Sequence, residues 1–82
     1  MIHLNKTLSS CAVGEKVVVS ELLNTELASK LMEMGIYCGK QLQIIYTAPM
    51  GDPLAVRIGS YVLSMRKDEA KNILVESILK HI

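Results

Sequence analysis

Apolar residues recur along this chain with two periods, and the switches between them divide it into strands and helices. From Glu15 to Ser20 the run Val17-Val18-Val19 is dense and β-branched. Such side chains are stiff at χ1 and pack well on a pleated surface, so the run predicts a strand, launched by a turn at Gly14. The period then lengthens. Leu27, Leu31 and Met34 recur at i, i+4 and i+7 with Ala28 and Met32 beside them, which predicts an amphipathic helix from Thr25 to Met34. Asn24 stands where an N-cap side chain would accept a free backbone N–H, and Glu26 complements the helix dipole. Gly35 is the stop, because glycine takes the left-handed C′ conformation without steric cost.

From Gly39 the period returns to two. Leu42, Ile44 and Tyr46 alternate with Gln41, Gln43 and Ile45, and are expected to share one buried face. Pro49-Met50-Gly51-Asp52-Pro53 is a strong turn signal. Leu54, Val56 and Ile58 alternate with Ala55 and Arg57, and Gly59-Ser60 reads as a tight two-residue reversal with Gly first. The partner strand carries Tyr61, Leu63 and Met65 on one face and Val62, Ser64 and Arg66 on the other. Lys67 to Asn72 predicts a short helical turn with Asp68 and Glu69 near its start and Ala70 inward, and Ile73 to Ile78 a last strand. The expected fold is mainly β: a single domain over residues 1–82, built as a small barrel of about five strands. It has one inserted α-helix and a short helical turn before the last strand. Closure would remove exposed sheet edges.

Composition narrows what such a domain can do. A chain of 82 residues buries only about 60% of its unfolded surface and needs a dense core. Half the residues are apolar, with no Phe or Trp and three Tyr, so that core is aliphatic. Nine Lys and Arg against eight Asp and Glu leave a net charge of +1, with the signs interspersed. Nucleic-acid-binding domains carry a basic excess, and stacking platforms group their aromatics; Tyr37, Tyr46 and Tyr61 are widely spaced. The expectation is therefore no nucleic acid. Met1 to Lys6 lacks the zones of a signal peptide, and no apolar run exceeds three residues where a spanning helix needs roughly 20. Direct membrane insertion is not expected, and Cys11 and Cys38 are too few for a disulfide scaffold. The expected setting is the cytoplasm.

The chemistry is sparse. A nucleophile needs a base within hydrogen-bond reach, yet the histidines are His3 and His81, each close to an end of the sequence. Cys38 lies in a turn with no activating neighbour on its N-terminal side. Gly35 and Gly39 frame a helix end, whereas phosphate binding needs a helix start. No catalytic or cofactor-binding residue is assigned, and the chain reads as a non-enzyme. Structural zinc sites use paired ligands, but Cys11 and Cys38 are far apart in sequence with no His between them, and Asp52 reads as an Asx turn. No metal ligands are assigned, leaving at most weak or transient divalent binding. The residues that remain for a partner are Leu31, Met32 and Met34 along the helix, where methionine adapts well to a binding surface, and the solvent-facing Arg57 and Arg66.

A longer pattern runs through these elements. Leu8, Gly14, Leu31-Met32-Glu33-Met34-Gly35-Ile36 and Gly39 are followed by Pro49-x-Gly51-Asp52-Pro53. Next come Gly59-x-x-x-Leu63-x-Met65-Arg66, Glu69-Ala70 and Ile73-x-Val75. The series resembles the FeoA family, small cytosolic components of bacterial ferrous iron uptake, over Leu4 to Glu76. The Gly-Asp-Pro turn with the Arg66-x-x-Glu69-Ala70 step is its most specific part. Lys30 and Cys38 stand where the family often has Arg and Pro. The resemblance implies an SH3-like barrel with a helical insertion. It also implies an accessory or regulatory role exercised by binding the cytosolic side of the ferrous iron permease FeoB, whose transport is coupled to a GTP-hydrolysing domain. The alternatives are a metal-responsive SH3-like domain, as in metal-dependent repressors, and a small transition-metal-binding protein.

Overall fold

Alternation along the chain resolves into six strands in a computed structural model that describes residues 5–78. The order is β1 (Asn5–Thr7), a 3-10 turn (Leu8–Ser10), β2 (Lys16–Leu22), α1 (Thr25–Glu33), β3 (Gln41–Thr47), β4 (Leu54–Ile58), β5 (Tyr61–Met65), α2 (Lys67–Ala70) and β6 (Ile73–Ser77). All pairings are antiparallel, and the strands lie in the order β1-β6-β2-β3-β4-β5. The predicted five strands become six because β1, at three residues, is too short to show an alternation.

The sheet curls on itself. Arg66 to Asn72 carry the chain from β5, last in the order, to β6, second in it, and four of those residues form α2. In place of a continuous closed ladder, β1 and β5 stand as the two edges. Two bulges add to the curvature: the register shifts between Val19 and Glu21 in β2 and between Ile44 and Tyr46 in β3. An extra residue in one strand of a pair bends it and steepens its twist.

One aliphatic cluster fills the concave side. Val17 and Val19, Leu42 and Ile44, Val56 and Ile58, and Ile73 and Val75 come from strands at period two, while Leu8, Leu31, Ile36 and Ala70 cover the ends. Every residue in this cluster is apolar, and no described polar or charged residue is buried. The bulge at Ile45 resets the phase of β3, so Tyr46 is 53% exposed and does not continue the inward face of Leu42 and Ile44 as the alternation predicts. The hairpin at Gly59-Ser60 forms as read. Gly59 has φ +59° and, among the described residues, no non-glycine residue has positive φ, so Ser60 does not, which selects the II′ over the I′ turn.

Candidate functional site

Capping geometry sets which residues of α1 reach the surface. The Asn24 side chain accepts from the Leu27 N–H at 3.0 Å and starts α1. At the other end Gly35, at φ +93°, donates to the Met32 carbonyl at 3.0 Å, and Ile36 donates to the Leu31 carbonyl at 2.9 Å. This pair of bonds is the Schellman motif, and its usual apolar contact is supplied by Leu31 and Ile36, both buried. The turn fixes Met32 on the outside at 57% exposure and delivers Tyr37 to the surface just beyond.

The β4–β5 hairpin meets this helix end. Tyr61 Oη lies 3.4 Å from where a Cβ on Gly35 would stand, and Ile58 Cγ2 lies 3.5 Å from it. Lys40 Nζ sits 6.0 Å from the centre of the Tyr37 ring and 3.7 Å from the Cβ position of Gly59. Met32 is thus exposed at one side of a junction where the α1 end, the turn after it and the hairpin come together, with Tyr37 and Tyr61 partly exposed. Nothing in sequence spacing links residue 35 to residue 61, so the two tyrosines were not legible as part of this surface.

The five candidate partner residues separate. Met32 is accessible, whereas Leu31 is 1% exposed and belongs to the core, which removes it from any surface the folded domain presents. It is buried in the same core cluster as Ile36, the apolar pairing that often accompanies a Schellman turn. Met34 is half-buried and packs against the core cluster. Arg57 is exposed on the outer face of β4, opposite Gln43 of β3 and Val62 of β5. Arg66 is exposed at the start of α2, where its backbone N–H donates to Glu69 Oε1 at 2.9 Å, so the Arg66–Glu69 step is a helix start as well as a motif. The structure does not bring Arg57, Arg66 and Met32 into one described contact.

Other candidate groups are tied into the frame. The Cys11 thiol is half-buried, 3.6 Å from the Thr7 carbonyl, and burial pushes it up to about 11, a value that keeps it a thiol. Cys38 is free and exposed. Asp52 closes no turn of its own. Its Oδ1 accepts from the Lys67 backbone N–H at 3.1 Å and docks the 48–53 turn on the start of α2. His3 and His81 lie outside the described residues, within which no three His, Cys, Asp or Glu side chains gather as a metal site. Among the described residues, no helix is long and apolar enough to cross a membrane.

The FeoA domain family matches residues 6–77, almost the whole described chain. The chain belongs to the FeoA family. A curated relative from Porphyromonas gingivalis, an Fe(2+) transport protein A/Fe(2+) transporter FeoB fusion protein, is 33% identical over 72 residues. The match takes in 87% of this chain but only 8% of that relative, so the FeoA domain here spans a small fraction of the fusion protein's length. An FeoA-like protein from Clostridium acetobutylicum superposes with a TM-score of 0.85 at 41% identity, covering 100% of this chain and 95% of the other. FeoA from Stenotrophomonas maltophilia, solved with zinc and described as an SH3 domain protein, superposes with a TM-score of 0.75 at 29% identity, covering 85% of this chain and 88% of that one. The SH3-like character expected from the motif series therefore holds for this FeoA domain, with an open-edged sheet and six strands.

Proposed function

We propose that this FeoA-family chain is a non-catalytic accessory and regulatory protein of bacterial ferrous iron uptake, acting in the cytoplasm by binding the cytosolic side of a FeoB-type permease. The observation that carries this reading is the P. gingivalis relative, in which an FeoA part and a FeoB part are one polypeptide. Fusion keeps two parts at high effective concentration, which is of use when they must meet. The S. maltophilia FeoA, 29% identical, is described as a candidate ferrous iron transport activating factor, which supports an accessory role over a catalytic one. Exposed Met32 on α1, with Tyr37 in the turn beyond it and Tyr61 against Gly35, supplies apolar contact area, and Met and Tyr are residue types enriched where proteins meet. Arg57 on β4 and Arg66 at the start of α2 are exposed and serve, in this reading, as separate polar contacts.

The test is recovery of the permease from detergent-solubilised membranes on immobilised chain, with and without GTP. Recovery supports the reading, and a nucleotide effect marks regulation over scaffolding. Failure under both conditions overturns it, and anaerobic Fe(II) titration of the isolated chain then decides whether a metal-binding role replaces it.

A further inference from the structure

Positive charge in this molecule is unevenly placed. Lys6 pairs with Glu15, Lys30 with Glu69 and Lys71 with Asp68, while Arg66 and Lys67 adjoin Asp68 and Glu69 in sequence. Lys16, Lys40 and Arg57 differ: among the described residues none of the three is in an ion pair, and all three line one groove of about 320 Å³ with Gln41, Gln43 and Gly59. Among the described residues no carboxylate lines it. The register explains why Lys16 and Arg57 share it, and Lys40 lies in the turn just before β3. Lys16 of β2 lies opposite Gln43 of β3, which lies opposite Arg57 of β4, so the three form a row across the outer face of the sheet. Their neighbours Val17, Leu42, Ile44, Val56 and Ile58 point into the core. The carboxylates Glu26, Asp68 and Glu69 lie elsewhere, in a second depression between α1 and α2.

We infer that this row is a docking groove for an acidic, unstructured polypeptide segment in extended conformation. Three cations outside any ion pair among the described residues, with no described carboxylate beside them in the groove, fix the sign of the occupant. Spacing fixes its form. The backbone positions of Lys16 and Arg57 are two strand spacings apart, about 10 Å. A chain in the polyproline II conformation, common in unfolded segments, repeats every three residues and rises about 9 Å per turn. Carboxylates at i and i+3 of such a chain match that backbone repeat across the sheet. The intervening glutamines suit a peptide. Gln43 uses one amide N–H on the Gly14 carbonyl at 3.3 Å, which leaves its carbonyl oxygen toward a backbone N–H, and Gln41 is exposed beside it. Polyproline II backbone has no internal hydrogen bonds and leaves its own groups available. Among the described residues no aromatic lines the groove itself, which leaves no platform inside it for stacking a base. The groove shares Lys40 and Gly59 with the junction at the end of α1 but is not lined by Met32, and the inference holds whether or not the permease is the partner.

The experiment is an NMR titration of the labelled chain with a synthetic peptide carrying Glu at every third position between Gly and Ser. Parallel titrations use the Gln-for-Glu peptide, inorganic phosphate and an oligothymidylate. The expected result is shifts confined to Lys16, Lys40, Gln41, Gln43, Arg57 and their neighbours with the Glu peptide alone, weakened by salt. Lys16→Gln with Arg57→Gln is expected to weaken binding about five- to tenfold, as for two exposed ion pairs, while Arg57→Lys keeps most of it. Met32→Glu leaves it unchanged. Absence of shifts, equal shifts with the Gln peptide, or the same shifts with phosphate would each overturn the proposal, and tighter binding of the oligonucleotide would replace it with a nucleic-acid site.

Discussion

Glu15 gathers donors from three parts of the chain: Lys6 of β1 at 2.5 Å, the Ser77 hydroxyl at the end of β6 at 2.5 Å, and the Ala12 N–H at 3.1 Å. The Lys6 hydrogen bond first, then that from Ser77, hold its carboxyl at about 2, against an ordinary value of 4.5. A carboxyl whose folded value is depressed gives stability that is whole above the unfolded value and is lost as pH falls through the folded one. Glu15→Gln is therefore expected to cost about 1–2 kcal/mol at neutral pH, with urea unfolding showing the difference shrinking between pH 4.5 and 2. Equal stabilities at pH 7 would dismiss the network as a surface contact. Ser20 is the opposite case. Its hydroxyl is buried at the β2 bulge with no hydrogen-bond partner among the described residues, so Ser20→Ala is expected to be neutral or to stabilise by up to about 1 kcal/mol. Neither role was legible in the sequence, because Glu15 and Ser77 are 62 positions apart and the Ser20 environment depends on a register shift. Asp52 was misread as a local turn for the same reason: its partner is the Lys67 N–H.

Elements defined by their own residues were the ones most legible. α1 begins at the Asn24 cap and stops at Gly35 as the signals predict, since both are decided within a few residues of the helix ends. The conformation at Gly35 gives a clean test. Gly35 and Gly39 share φ +93°, but a Cβ at Gly35 meets Tyr61 and Ile58 while one at Gly39 meets nothing within 4 Å. Alanine at either position pays the left-handed strain of roughly 1 kcal/mol. Gly35→Ala is expected to lower the thermal midpoint further than Gly39→Ala, and Gly35→Val further still. Equal losses would mean that the hairpin yields at no cost. β3 shows where local reading fails. Leu42 and Ile44 face inward, but the bulge at Ile45 turns Tyr46 out, and a bulge is set by pairing with β4.

At the scale of the whole molecule, the mainly β architecture with an inserted helix followed from the count and spacing of elements, while the open edges and the sixth strand needed the pairing pattern. The candidate surface was legible only in part. Helical periodicity admits Leu31 and Met32 alike, and packing against Ile36 decides that Leu31 is core and Met32 is not. Met32→Glu is accordingly expected to keep stability within about 0.5 kcal/mol by thermal melting while reducing permease recovery; a large loss of stability would return Met32 to the core. The pairing of β1 with β6 has a consequence of another kind. Asn5 lies opposite Glu76, so the two ends of the described chain emerge side by side from one margin of the sheet, far in sequence from the 48–53 turn, where Met50 is 87% exposed. A short bridge across that margin would make the polypeptide a ring, and the ring could be cut at Met50 to give a circular permutant with the same six strands. The same adjacency lets the domain be inserted whole into a loop of another protein, entering and leaving at one point without parting the host's own fold.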